Sequence, residues 1–195
     1  MAVGTVRELK GAETRQRIVR AAWSVIAERG LGGLTTRRVA SEAGISHGMC
    51  HYHFGNKDDL VLAVVDQARP YWIDPMERLV AAPGTAQQRL DAVIRWMAEP
   101  ATREVMRVHL QLMAQSEYSE PLRERMAAEY ARWQRAYVDL FRQLEREGQL
   151  RAGVDAERVG VAFATMADAL VDQQSLDPGL DTESIMRAFL SLMVR

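Results

Sequence analysis

The chain has 195 residues, 48 % of them hydrophobic and one a cysteine, enough to bury a sizeable core and too few thiols for an internal disulfide or a paired-cysteine zinc site. No apolar run approaches the roughly 20 residues of a membrane span, and MAVGTVRELKGAETR has no apolar core for a signal peptide, so a cytoplasmic protein without a membrane partner is expected. The formal net charge of −1 hides an asymmetry: residues 1–57 carry nine Lys or Arg against four Glu, and residues 58–195 carry 16 against 22 acids. A small basic part joined to a larger acidic one suits a head that meets a polyanion, with a solvated basic face as the plainer alternative.

Ile18, Ala21, Ala22, Val25 and Ile26 recur at the spacing of one helix face, which predicts a first helix over 12–29 stopped by Gly30. Thr35 or Thr36 caps a second short helix through Ala43, Gly44 supplies a tight turn, and Ser46 caps a third helix. Asn56, followed by Asp58 and Asp59, opens a fourth, in which Pro70 and Pro75 predict a kink or a stop. Further helices are placed at 85–98, 101–116, 119–147, 155–175 and 182–194, with Ser119, Asp155 and Asp181 as caps and Pro–Gly punctuation between them. No strand-like alternation or internal repeat competes, so the fold class is all-α with about nine helices.

The segment TTRRVASEAGISHGMCHYHF, residues 35–54, fits a helix-turn-helix. Val39, Ala40, Ala43, Ile45, Cys50 and Phe54 supply the apolar contact between two short crossing helices, and Gly44 supplies the turn. Its histidines also raise a metal reading, because His47 and His51, four residues apart, share one helix face. A stable site needs three or four ligands, however, and Cys50 and His53 rotate toward the packed side, so no metal is assigned. A nucleophilic Cys50–His53 pair lacks an orienting carboxylate and an oxyanion-binding loop, so no catalytic residue is assigned and an enzyme is not expected.

Over residues 12–66, and most closely in LTTRRVASEAGISHGMCHYHFGNKDDLVLAVVD, the sequence resembles the TetR family of bacterial transcription regulators. The segment AFATMADALVDQQSLDPGLDTE is similar to the BetI-like subgroup. The resemblance implies a three-helix DNA-binding domain over 1–55, a connecting helix over 56–73, and a ligand-binding and dimerisation domain over 74–195. It implies a homodimer reading double-stranded DNA at a palindromic operator, with recognition helices about one turn of DNA apart. Carried over position by position, it implies Thr36, Arg37, Tyr52 and Lys57 as phosphate contacts, and His47, Gly48, Met49 and His51 at or near the base edges, His51 favouring a phosphate over a base, with Thr35 and Ser46 among the DNA-binding positions. The sequence departs from the family where His47, Met49 and His51 replace the commoner basic, Thr and Tyr side chains. Histidine offers one donor and one acceptor, or two donors, so it reads a base less decisively than Arg or Asn.

The remaining residues are expected to serve dimerisation and ligand sensing. Val159 to Val171 is apolar on nearly every face, and Ile185, Phe189 and Met193 form a stripe on the last helix, so Ala162, Asp168, Leu170, Ile185, Phe189 and Met193 are candidates for a four-helix dimer interface. Trp96, His109, Met113, Trp133, Tyr137, Phe163 and Met166 are candidates for an effector pocket, with ordinary core packing as the alternative. No cofactor is implied beyond an unidentified small-molecule effector, whose binding would move the fourth helix and release DNA. A DNA-binding protein without a ligand, and a helical enzyme or adaptor with a basic head, stay open as competing readings.

Overall fold

The computed structural model describes residues 6–195, so the N-terminal part of the stretch read for a signal segment lies outside the described residues. Among them the chain forms α1 (Val6–Arg29), a 3-10 turn (Leu31–Gly33), α2 (Thr36–Glu42), α3 (His47–His53), α4 (Lys57–Val80), α5 (Ala86–Met97), α6 (Pro100–Ser116), α7 (Glu120–Arg146), α8 (Ala156–Gln173) and α9 (Thr182–Ser191). The all-α expectation holds. One correction concerns α1, which begins before residue 12: Gly11 sits inside the helix, flanked by good helix formers. A second concerns α4, which Pro70 and Pro75 do not stop. Each removes one N–H donor, and the buried Trp72, Ile73 and Met76 hold the surrounding turns in place.

The chain divides into two compact units. The first comprises Met1–Ala68 with Gln111–Arg125. Ile18, Ala22, Ile26, Val39, Cys50, Phe54, Leu60 and Val64 form its interior, each at most 2 % exposed. Thr35 accepts from the Arg38 N–H at 3.1 Å, Ser46 from the Met49 N–H at 3.1 Å, and Asn56 Oδ1 from the Asp59 N–H at 2.8 Å, so each expected cap opens its helix. Gly44, at φ 63°, makes the left-handed turn between α2 and α3 that an L side chain would strain. Gln111 reaches the end of α1, where its Oε1 accepts from the Leu31 N–H at 2.6 Å.

The second unit comprises Arg69–Leu110 and Met126–Arg195. Thr85 and Gln88 form a reciprocal capping box at α5, and the carboxylates of Asp155 and Asp181 accept from first-turn N–H groups of α8 and α9. α8 lies so close to α7 that a Cβ at Gly160 would stand 2.7 Å from the Val138 Cα. The tail closes on the turn after α7: Arg151 N–H donates to Met193 O and Arg195 N–H to Gln149 O, both at 2.8 Å.

Candidate nucleic-acid interface and effector site

In the first unit, α3 is a two-faced helix. Cys50 is fully buried and burial pushes its thiol pKa up, which keeps it protonated and unreactive. His53 is half-buried and edge-on to Tyr52, with ring centres 5.3 Å apart. His47, Gly48, Met49, His51 and Tyr52 are exposed, Tyr52 at 80 %. A Cβ at Gly48 would meet no atom within 4 Å, so nothing inside the chain demands glycine there. The three histidines therefore do not converge with Cys50, and among the described residues no three His, Cys, Asp or Glu side chains gather as metal ligands.

The polar side chains around α3 fall into two groups. Some are committed to the fold: the Lys57 ammonium donates to Leu31 O at 3.0 Å, Arg17 donates to Ala43 O at 2.7 Å, and the Arg15 guanidinium lies 4.9 Å above the Phe54 ring. Others face outward. Thr36 Oγ1 and His47 Nε2 are hydrogen-bonded at 3.1 Å, His47 and His51 meet edge-to-face at 4.4 Å, and Arg37 is exposed with no ion pair among the described residues. Thr36, His47 and His51 thus form one contiguous group across α2 and α3, whereas Lys57 ties the start of α4 to the 3-10 turn.

In the second unit the rings of five helices converge. Trp72 of α4 stacks on Trp133 of α7 at 4.3 Å and on His109 of α6 at 5.0 Å. Trp96 of α5 tilts against Trp133 at 6.0 Å, Tyr137 meets Trp133 edge-on at 5.2 Å, and Phe163 of α8 lies 5.4 Å from Tyr137. Trp96, His109, Trp133, Tyr137 and Phe163 are accordingly brought together, and Met166 packs against the same core. Met113 is not among them: it is 37 % exposed and belongs to the segment of the first unit. Trp72 went unread because the two prolines around it marked a helix end.

Asp168, expected at a dimer interface, is 8 % exposed within the single chain, next to these rings. Burial and the neighbouring Asp172 push its carboxyl well above the usual carboxylate range, and the Trp133 indole N–H nearby pulls the other way. Burial and then the Asp168 charge drive the Tyr137 hydroxyl well above its ordinary value. Burial lowers His109 to about 4, so its imidazole is neutral near pH 7. Trp133 Nε1, Tyr137 Oη and Asp168 Oδ1 are all buried without a well-formed hydrogen bond among the described residues.

Of the other residues expected at a dimer interface, Leu170 and Met193 are each 9 % exposed within one chain, and Phe189 packs partly on the core. Ala162 and Ile185 are exposed, as are Val161 at 37 % and Leu192 at 70 %.

Comparison with known proteins agrees with both units. Residues 18–64 match the N-terminal model of the tetR family of bacterial regulatory proteins, and residues 86–194 match the C-terminal model of BetI-type transcriptional repressors. The HTH-type transcriptional regulator BetI of Rhizobium meliloti is 30 % identical over 164 residues, spanning 83 % of this chain and 78 % of that protein. A transcriptional regulator from Saccharomonospora viridis, solved in complex with choline, superposes with a TM-score of 0.86 at 24 % identity, covering 94 % of this chain and 99 % of that one. The regulator FadR of Bacillus subtilis, solved with stearoyl-CoA, superposes at 0.72 with 22 % identity, covering 91 % and 96 %. The chain belongs to the TetR family of helix-turn-helix transcriptional regulators and carries a C-terminal domain of the BetI repressor type.

Proposed function

We propose that the chain is a ligand-released repressor, acting as a homodimer on a palindromic operator, whose effector is a small quaternary ammonium compound of the choline kind. The observation that carries the effector assignment is the convergence of Trp72, Trp96, Trp133 and Tyr137 beside the buried Asp168. Aromatic faces attract a diffuse organic cation through their quadrupoles, and a desolvated carboxylate supplies the counter-charge. The choline complex of the Saccharomonospora viridis regulator, on the same fold, supports this reading.

On DNA, Thr36, Arg37 and Tyr52 contact phosphates, His47, Gly48 and Met49 face the base edges, and His51 beside them touches phosphate. Thr35 and Ser46 act through their capping hydroxyls, and Lys57 through the start of α4. The exposed apolar surface of α8 and α9 around Ala162 and Ile185 supports the dimer. Coupling runs along α4, which supplies Lys57 to Ala68 to the first unit and Trp72 to the second. Such coupling is typically about 1–3 kcal/mol and reciprocal, so operator DNA weakens effector binding by the same factor.

A mobility-shift titration on the DNA upstream of the chain's own gene tests the proposal. The expected result is a specific complex at moderate salt that choline dissociates, with dissociation lost in Asp168→Asn. Absence of a specific complex rejects the operator assignment. A complex that choline leaves intact rejects the effector assignment alone, and unchanged induction in Pro70→Ala counts against transmission through the end of α4.

A further inference from the structure

The second unit contains a cavity of about 310 Å³ between α6 and the last turn of α8 with the residues that follow it. Its size lies at the lower end of small-molecule sites, ~300–1,000 Å³. No aromatic side chain lines it, which sets it apart from the ring cluster and makes it a poor host for a quaternary ammonium.

Its polar lining is of two complementary kinds. Arg103 is half-buried and has no ion pair among the described residues, and Arg107 adds a second guanidinium to the wall. Asp172 Oδ1 and Gln174 Oε1 are buried acceptors without a donor among the described residues. The orientation of the Gln174 amide is fixed, because its nitrogen donates to Leu180 O at 2.9 Å and to Thr182 Oγ1 at 3.1 Å. That residue is 8 % exposed, so its oxygen has no ready supply of water. Burial also raises the Asp172 carboxyl to about 6, the mark of a charge lacking a counter-ion. Met106 and Val171 supply an apolar wall.

We propose that this cavity binds an amino-acid-like zwitterion, its carboxylate on the Arg103 guanidinium and its primary ammonium donating to the oxygens of Asp172 and Gln174. Both charged ends are needed: an anion alone leaves two acceptors unpaired, and an amine alone leaves Arg103 unpaired. The cavity shares no lining residue with the aromatic cluster, although the Asp172 charge is felt at Asp168, and the proposal does not rest on the effector assignment above.

Calorimetric titration of the full-length chain with the ω-amino acids from glycine to 6-aminohexanoate, beside alkylamines, alkyl carboxylates and hydroxy acids of matched length, tests it. At least one amino acid is expected to bind with one site per chain, with single-charge and hydroxy analogues about tenfold weaker or worse. Arg103→Gln, Arg103→Met and Asp172→Asn, checked for folding by circular dichroism, are each expected to weaken it by a similar factor. Binding of no member below roughly 10 mM, equal binding of the analogues, or wild-type affinity in the folded variants overturns the proposal.

Discussion

At the residue scale the sharpest test of the reading head is Gly48. Nothing lies within 4 Å of a Cβ built there, so Gly48→Ala removes no internal packing and gains helix propensity of about 0.5–1 kcal/mol. Operator affinity is nevertheless expected to fall, because the added methyl occupies space reserved for the DNA surface. Paired thermal melts and mobility shifts check this, and unchanged operator affinity would remove close backbone approach from the account. Arg37→Ala is expected to weaken binding evenly across operator variants and to lower the salt slope by about one, the signature of one lost phosphate contact. Asp168 gives a pH prediction of definite sign. Its carboxyl is held well above the usual range, whereas a bound cation favours the ionised form, so cation uptake releases a proton. Choline affinity should therefore increase with pH from the ordinary carboxylate range toward the raised value, and flatten in Asp168→Asn, as measured by calorimetry in a buffer series.

At the element scale the contact of α7 with α8 rests on the missing side chain of Gly160. A Cβ there would stand 2.7 Å from Val138 Cα and 3.0 Å from its nitrogen, and backbone cannot step aside as a flexible side chain can. Gly160→Ala is expected to destabilise the chain by about 1–3 kcal/mol despite its better helix propensity, seen as a lower melting temperature. An unchanged melt would mean that α8 slides at small cost. Helix placement was legible because its signals are local: Thr35, Ser46, Asn56, Asp155 and Asp181 cap the helices they were expected to cap. The failure at α4 has a different cause: two prolines are overruled by the packing of the buried Trp72, Ile73 and Met76, a tertiary effect that no local signal carries.

At the scale of the whole molecule, the outward histidines of α3 and the buried Cys50 were readable from a 3.6-residue period, but the aromatic cluster was only partly so. Trp96, His109, Trp133, Tyr137 and Phe163 were grouped by chemistry, and the stacking of Trp72 on two of them is a tertiary fact that no single helix encodes. That stack gives the fold its own acid sensitivity. His109 lies against Trp72 with its pKa lowered to about 4 by burial, so the folded chain resists protonation that an unfolded histidine accepts near 6.5. Its contribution is fully present above the unfolded value and lost as pH falls toward the folded one, a change of about 2–3 kcal/mol by pH 4.5. Asp172 runs the other way: raised to about 6, it favours the folded state as pH falls through the same window, with a smaller effect because it is only half-buried. Asp168, held well above its usual range, acts in the same direction as Asp172, so the histidine's share is read from the difference between wild type and a variant that lacks it. In His109→Phe, which keeps a ring against Trp72 and removes the proton site, the melting temperature should fall less, or rise more, between pH 7 and 4.5 than in wild type. Equal changes in variant and wild type, followed by circular dichroism across that range, would show that the imidazole is more hydrated than its place in the stack implies.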